Sequence, residues 1–229
     1  MTWQEIYNEK LMTAEDAIKL INNGDGVVVG FGCGEPFGIE RALIAHYKDF
    51  KDIEIINMLT LGNSPWCEPQ MKGHFKLNCL FASQSNRASI SNGTSEFTTS
   101  HFYEIPEIIK NYLCPRVSIV MVSPPDEHGY VSFGTTVDYS KGTADHCEVV
   151  IAQVNKYMPR TFGNSSRYRR LKPEKHLRLK WKSENTVRRL SKTATACSLA
   201  SAVFRTQYAN SFLTKRIWDC TANLSATVL

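Results

Sequence analysis

The stretch Val117 to Tyr139, VSIVMVSPPDEHGYVSFGTTVDY, decides how this chain is read. Val117, Ile119, Val120, Met121 and Val122 form an apolar run too short for a helix that buries one stripe, so the spacing predicts a strand covered on both faces. Pro124 and Pro125 cannot donate ladder hydrogen bonds, and Asp126 to Gly129 is turn chemistry. The chain must therefore reverse at the carboxyl end of that strand. Tyr130 to Phe133 alternates apolar and polar, and Gly134 with two threonines leads to a predicted helix over Val137 to Cys147. In open α/β sheets ligands sit at strand ends, which makes this turn a candidate cleft wall. The competing reading of Asp126 to Gly129 is a solvated turn, with His128 a turn residue rather than a base.

Outward from that stretch, the pattern repeats. Residues 3 to 23 read as helix, with Thr13 a plausible cap and Ala14, Ala17, Ile18, Leu20 and Ile21 as an apolar face. Val27 to Phe31, Ile53 to Leu59, Phe75 to Ala82 and Glu148 to Val154 read as buried strands. Gln84 to Gly93 reads as a polar loop, and Ser100 to Asn111 as a helix with Pro106 in its first turn. Strands alternating with connections long enough for crossovers imply an α/β fold, a mainly parallel sheet flanked by helices.

The first strand runs into GFGCGEPFG, where Gly30, Gly32 and Gly34 make a backbone that a ligand can approach closely. The element fails as a dinucleotide fingerprint, because Glu35 puts a carboxylate where a pyrophosphate would rest, and no G-K-[ST] follows. A tight strand-to-helix turn remains the plain alternative.

Composition adds bounds. The 229 residues, 42% hydrophobic, suffice for one large or two small domains. No run is long enough for a membrane span and MTWQEIYNEK is no secretory signal, so a soluble cytoplasmic protein is expected. Seven scattered cysteines without C-x-x-C speak against a zinc site and a disulfide scaffold, and no metal is expected. The net charge of +5 joins two unlike parts: residues 1 to 164 carry 13 Lys and Arg against 19 Asp and Glu, residues 165 to 229 carry 14 against 3. All 13 glycines fall at or before Gly163.

Three blocks together, GDGVVVGFGCGEP at 24 to 36, SPPDEHGYVSFGTTVDY at 123 to 139 and NKYMPRTFGNS at 155 to 165, resemble the amino-terminal half of the acetyl-CoA hydrolase/transferase family, of the 4-hydroxybutyrate and butyryl-CoA:acetate CoA-transferase type. The resemblance implies a CoA-transferase-like amino-terminal domain over 1–165, two similar α/β halves with the active site between them, and a homo-oligomer in the intact family. It implies transfer of CoA between short-chain acids such as acetate, butyrate or 4-hydroxybutyrate. CoA would be carried on a glutamate as a glutamyl-CoA thioester intermediate, with coenzyme A thioester as substrate and no bound cofactor. Acetyl-CoA hydrolysis is the nearest alternative, and a non-catalytic binding or dimerisation fragment is the rival from another class. By their places at strand ends, Gly32, Gly34, Ser64, Asn86 and Arg87 are the substrate-cleft candidates, Arg87 as a guanidinium clamp on a carboxylate.

The family glutamate sits in a segment resembling H-S-E-(M/F)-x-S-D-G in the second half, and none occurs here. The genetic code suggests why. Joining the last base of each codon to the first two of the next, Lys192 to Tyr208 permits D-G-D-C-L-Q-L-G-I-G-G-I-P-D-A-V, and Lys215 to Leu229 permits K-N-L-G-L-H-S-E-F-I-S-D-G-V. The tail 166–229 is therefore expected to be a frameshifted remnant without a native-like domain, its glutamate once encoded across Ala222 and Asn223. Its basic run from Arg167 to Lys182, with Tyr168 and Trp181 interleaved, would attract phosphate non-specifically. The shifted frame explains that basicity and the missing glycine together, so no specific nucleic acid partner is expected.

Overall fold

The computed structural model describes residues 2–163, together with the backbone of residues 167–168 and 177–180. Among the described residues ten strands and six helices follow in order: α1 (Trp3–Lys10), β1 (Leu11–Met12), α2 (Ala14–Ile18), β2 (Gly26–Val29), α3 (Phe37–Ala45), β3 (Ile53–Asn57), β4 (Phe75–Cys79), α4 (Arg87–Ser91), β5 (Glu96–Phe97), α5 (Ile105–Ile108), β6 (Val117–Val122), β7 (Val131–Ser132), α6 (Asp138–His146), β8 (Val149–Val154), β9 (Arg167–Tyr168) and β10 (Leu177–Lys180). Eight strands form one sheet in the order β1-β10-β8-β6-β2-β3-β4-β5, every pair parallel. β7 and β9 pair antiparallel beside it. The α/β class and the parallel sheet flanked by helices stand as the alternation of elements implied.

Period-two alternation divides the core into two layers. Val27, Val29, Ile53, Ile55, Val117, Ile119, Val149 and Ile151 face Ala17 and Ile18 of α2 and Ile39 and Leu43 of α3. On the opposite face, Val120, Val122, Val150 and Ala152 meet Ile6 of α1, while Val28 and Ile56 meet Ile105, Ile109 and Tyr139. All six residues of β6 are buried, as its apolar run required.

Three elements depart from the sequence reading. The helix expected over 3 to 23 is interrupted, because Leu11 and Met12 extend and pair with Leu179 and Lys180. Thr13 then caps α2, its hydroxyl accepting from the Asp16 N–H. Within the loop expected at 84 to 93, Arg87–Ser91 winds into α4, with the Ser89 hydroxyl buried against the Asn86 carbonyl at 2.7 Å. The helix of 100 to 111 varies in pitch: a tight turn at Phe102–Glu104, α5, then a wide turn at Ile109–Leu113 that Cys114 ends in the left-handed region at φ 42°. Beyond the expected boundary near 165, β9 and β10 belong to a compact unit of residues 1–184. The rest of the expected tail lies outside the described residues.

At the far, amino-terminal edge of the strands, Arg116 clamps Asp25 through two bonds of 2.6 and 2.8 Å and donates to the Leu20 carbonyl at 2.7 Å. That pair fixes the entry to β2 against the entry to β6.

Candidate functional site

Strand order reverses beside β2: the chain proceeds outward through β3, β4 and β5, then returns to place β6 on β2's other side. The crevice at the carboxyl ends of such strands is where doubly wound folds bind ligands. Four loops gather there, after β2 (30–36), β3 (58–64), β4 (80–86) and β6 (123–130).

The first two loops are joined directly. Gly32 N–H donates to the Leu59 carbonyl at 3.0 Å, and Leu61 N–H donates to Glu35 Oε2 at 2.9 Å. The two cleft glycines differ. A side chain at Gly32 would meet nothing within 4 Å, and its φ of +58° suits glycine, so open space adjoins it. Gly34 is closed: an added Cβ would lie 1.8 Å from Thr136 Oγ1, so the close approach there is to the chain itself. Both N–H groups are occupied, Gly34's by the Phe31 carbonyl at 3.1 Å. What Gly32 offers is room rather than a hydrogen-bond donor.

Ser64 is buried and lies 3.1 Å from the Ser85 hydroxyl, which is 2.9 Å from that of Ser83. This serine chain brings the loops after β3 and β4 together. Asn86 has a structural task, its Oδ1 accepting from Ser83 N–H at 2.8 Å and its Nδ2 donating to the Phe81 carbonyl at 3.0 Å. Arg87 is exposed at the start of α4, with no partner for its guanidinium among the described residues.

The SPPDEHGY turn is a clasp. Asp126 accepts from the N–H groups of His128 at 3.0 Å and Tyr130 at 2.8 Å, and from Arg160 at 2.9 Å. Arg160 also donates to the Pro124 and Tyr130 carbonyls. Trp3 donates its indole N–H to the Glu127 carbonyl at 3.0 Å and lies over Gly129, where a Cβ would come within 2.9 Å of it. His128 is an exposed turn residue beside Glu127.

The sequence reading did not single out the acidic group beneath the glycine loop. Glu35 is 1% exposed, and burial pushes its carboxyl up to about 7, against the lowering effect of the Thr60 hydroxyl and the Leu61 N–H. Glu40, on α3, is buried with Oε1 lacking a partner among the described residues; burial and the neighbouring Glu35 charge push it well above the ordinary range. Asp138 is raised by burial as well. Tyr139, fully buried and near all three, donates to the Val29 carbonyl at 2.8 Å and stacks on Phe31. No cluster of three or more His, Cys, Asp or Glu side chains suited to a metal ion occurs among the described residues. Nor is any helix among them long and apolar enough to cross a membrane.

Residues 1–171 match the acetyl-CoA hydrolase/transferase N-terminal domain. The chain is 40% identical over 166 residues to the 4-hydroxybutyrate coenzyme A transferase of Clostridium kluyveri, covering 72% of this chain and 39% of that one. It is 29% identical over 167 residues to the butyryl-CoA:acetate CoA-transferase of Anaerostipes caccae, covering 71% and 37%. Among solved structures, 4-hydroxybutyrate CoA-transferase from Porphyromonas gingivalis superposes with a TM-score of 0.64 at 28% identity, over 80% of this chain and 42% of that one. RipA from Yersinia pestis shares the fold, with a TM-score of 0.71 at 24% identity, over 80% and 44%. The chain thus spans about two fifths of the length of the curated relatives it matches.

Proposed function

The chain belongs to the acetyl-CoA hydrolase/transferase family, and from that premise we propose that residues 1–165 are the amino-terminal half of an acyl-CoA:carboxylate CoA-transferase for short-chain acids. The observation that carries this is the 40% identity over 166 residues to a protein named as a 4-hydroxybutyrate CoA-transferase. The open space at Gly32, where strand order reverses, is consistent with it.

The reaction divides one difficult exchange into easier ones by covalent catalysis. A glutamate carboxylate from the second half attacks the thioester carbonyl and expels CoA thiolate, leaving a mixed anhydride. The thiolate then attacks the glutamyl carbonyl, releases the first acid and forms glutamyl-CoA, and an incoming carboxylate reverses both steps. In this half, Gly32 leaves room for the acyl chain. Ser64 and Ser85 supply hydroxyls at the cleft, and Arg87 pairs with the incoming carboxylate.

The glutamate itself belongs to the shifted frame of the tail. This chain is therefore inactive as written, a remnant of the transferase with no specific nucleic acid partner. A CoA-exchange assay between acetyl-CoA and butyrate tests both parts. The expected result is no turnover from this chain and turnover after the other frame is restored from about residue 166. Ordinary turnover by the unaltered chain, freed of contaminating enzyme, overturns the loss of the glutamate. Coding DNA that cannot be read as the two glycine- and glutamate-bearing motifs overturns the frameshift, and a restored chain that hydrolyses acetyl-CoA without transferring it overturns transfer.

A further inference from the structure

Away from the cleft, at the amino-terminal ends of β6 and β8, a cavity of about 340 Å³ opens between the helical segment 105–113 and the last turn of α6. Two of the residues that line it are cysteines, Cys114 and Cys147. Each ends a helical segment and leads into a strand. Cys114 closes the wide turn in the left-handed region, its N–H on the Ile109 carbonyl at 2.8 Å, and Cys147 caps α6, its N–H on the Thr143 carbonyl at 2.8 Å. The strands they lead into are neighbours. Val117 pairs with Val149, the Val149 N–H reaches back to the Arg116 carbonyl at 3.1 Å, and the Arg116 and Glu148 side chains meet at 3.4 Å. Cys114 stands three residues before its strand's first pair, and Cys147 two before. For chains about 4.8 Å apart, a one-residue stagger of about 3.3 Å separates the Cα atoms by about 6 Å, inside the span that a disulfide bridges.

We propose that Cys114 and Cys147 are a redox pair that a hydroperoxide closes into a disulfide, stapling the end of segment 105–113 to the end of α6. The two thiols differ as such a reaction requires. Cys114 is exposed, its thiol donating to the Lys110 carbonyl at 3.2 Å. Cys147 is half-buried, and burial pushes its thiol up to about 12, so it is not the first to react. The Cys114 thiolate attacks the peroxide: an S–O bond forms, the O–O bond breaks, and an alcohol, or water from hydrogen peroxide, leaves behind a sulfenic acid. The Cys147 sulfur then attacks the Cys114 sulfur. An S–S bond forms, the S–O bond breaks, and hydroxide departs with the Cys147 proton as water. The thiol pair gives up two electrons and the peroxide takes them. Both stapled segments belong to the layer that supports the glycine loop: Ile105, Ile109 and Tyr139 form one cluster with Phe31 packed against it, and Tyr139 holds the Val29 carbonyl at the end of β2.

Peptide mapping of the full chain without reduction, before and after hydrogen peroxide, tests the pair directly. The expected product is a cross-linked species joining the peptides that carry Cys114 and Cys147, two hydrogens lighter than their sum. Both thiols should be lost to alkylation and restored by dithiothreitol. In Cys147→Ser, Cys114 has no partner and should run on to the sulfinic acid, two oxygens heavier. In Cys114→Ser, the Cys147 thiol should survive the same dose and alkylate once the chain is denatured. Cys114 joined to any other cysteine, or Cys114 oxidised to the sulfinic acid in the wild-type chain while Cys147 stays a thiol, overturns the proposal. So does recovery of both thiols at a dose that oxidises free cysteine. The deciding measurement is made on the wild-type chain, so a variant that fails to fold does not remove it. Neither CoA nor turnover is involved, and failure of the redox pair leaves the transferase reading where it stands.

Discussion

Two loops leave neighbouring strands at one edge of the sheet, and each carries a carboxyl group whose surroundings drive it the opposite way. After β6, burial would raise Asp126, but the N–H groups of Tyr130 and His128 and the Arg160 guanidinium overcome it and hold the carboxyl below its ordinary range. After β2, Glu35 has hydrogen bonds from Thr60 and Leu61 but no cation, and burial prevails. Hydrogen bonds alone leave the deeply buried Glu35 raised, whereas hydrogen bonds together with one guanidinium lower the shallower Asp126. The clasp at Asp126 is therefore expected to hold through neutral pH, and Glu35 to titrate there.

The largest test of that contrast is pH itself. Glu35, raised in the folded state, contributes stability that is fully present below about 4.5 and lost as pH rises through about 7. Urea denaturation should show a loss on the order of 3 kcal/mol across that window, nearly abolished in Glu35→Gln. Asp126, lowered in the folded state, has the opposite sign, its contribution lost as pH falls below the ordinary carboxylate range. A wild-type chain whose stability is flat between pH 5 and 8 would remove the distinction between the loops.

Next in size is Gly34→Ala. The new methyl would overlap Thr136, which joins the loop after β2 to the segment following β7. Overpacking of this kind should lower stability by about 2 to 3 kcal/mol in chemical denaturation, and Thr136→Gly in the same chain should recover much of it. Gly32→Ala adds a side chain into open space and meets only the strain of φ +58°, about 1 kcal/mol. Arg160→Ala breaks the clasp from the other side. It removes one of the three donors to the Asp126 carboxylate and one donor each from the Pro124 and Tyr130 carbonyls, which keep other partners, and a loss of about 1 kcal/mol is expected in the same measurement, reduced from a buried pair's value because Arg160 is 39% exposed.

How far these loops could be read from sequence depends on the range of the forces that shape them. Pro124, Pro125 and Asp126 to Gly129 act within a few residues, so the reversal after β6 was legible, and so were the buried strands whose apolar runs need no partner to be recognised. The interruption at Leu11–Met12 was not, because its cause is a strand more than 160 residues away. α4 was missed because its buried residue is Ser89, a polar side chain satisfied by Asn86 and Ser95. Arg160 and Asp126 both stood in motifs already quoted, yet only the fold reveals that one holds the other. Glu35 was visible as an obstacle to pyrophosphate. That Tyr139 comes near both Glu35 and Glu40 follows from parallel topology bringing α6 back over β2 and β3, and no local pattern encodes that. Among the cleft candidates, the fold links Ser64 to the segment holding Asn86 and Arg87 through Ser85, while Gly34 and Asn86 prove occupied by the chain itself.

The finest test asks whether hydrogen bonds oppose burial at Glu35 at all. In Thr60→Val the hydroxyl is lost while shape and the Leu61 N–H remain, so the ionised form of Glu35 loses about 1 kcal/mol of stabilisation. Its midpoint in a carboxyl-resolved NMR titration should move further up, away from the ordinary value, and the pH window over which stability is lost should widen to match. A matching change at the clasp, His128→Ala, leaves the backbone N–H that Asp126 accepts and should move the Asp126 midpoint far less than Arg160→Ala does. If Thr60→Val instead lowers the Glu35 midpoint, water has entered beneath the loop and burial was not the dominant force there.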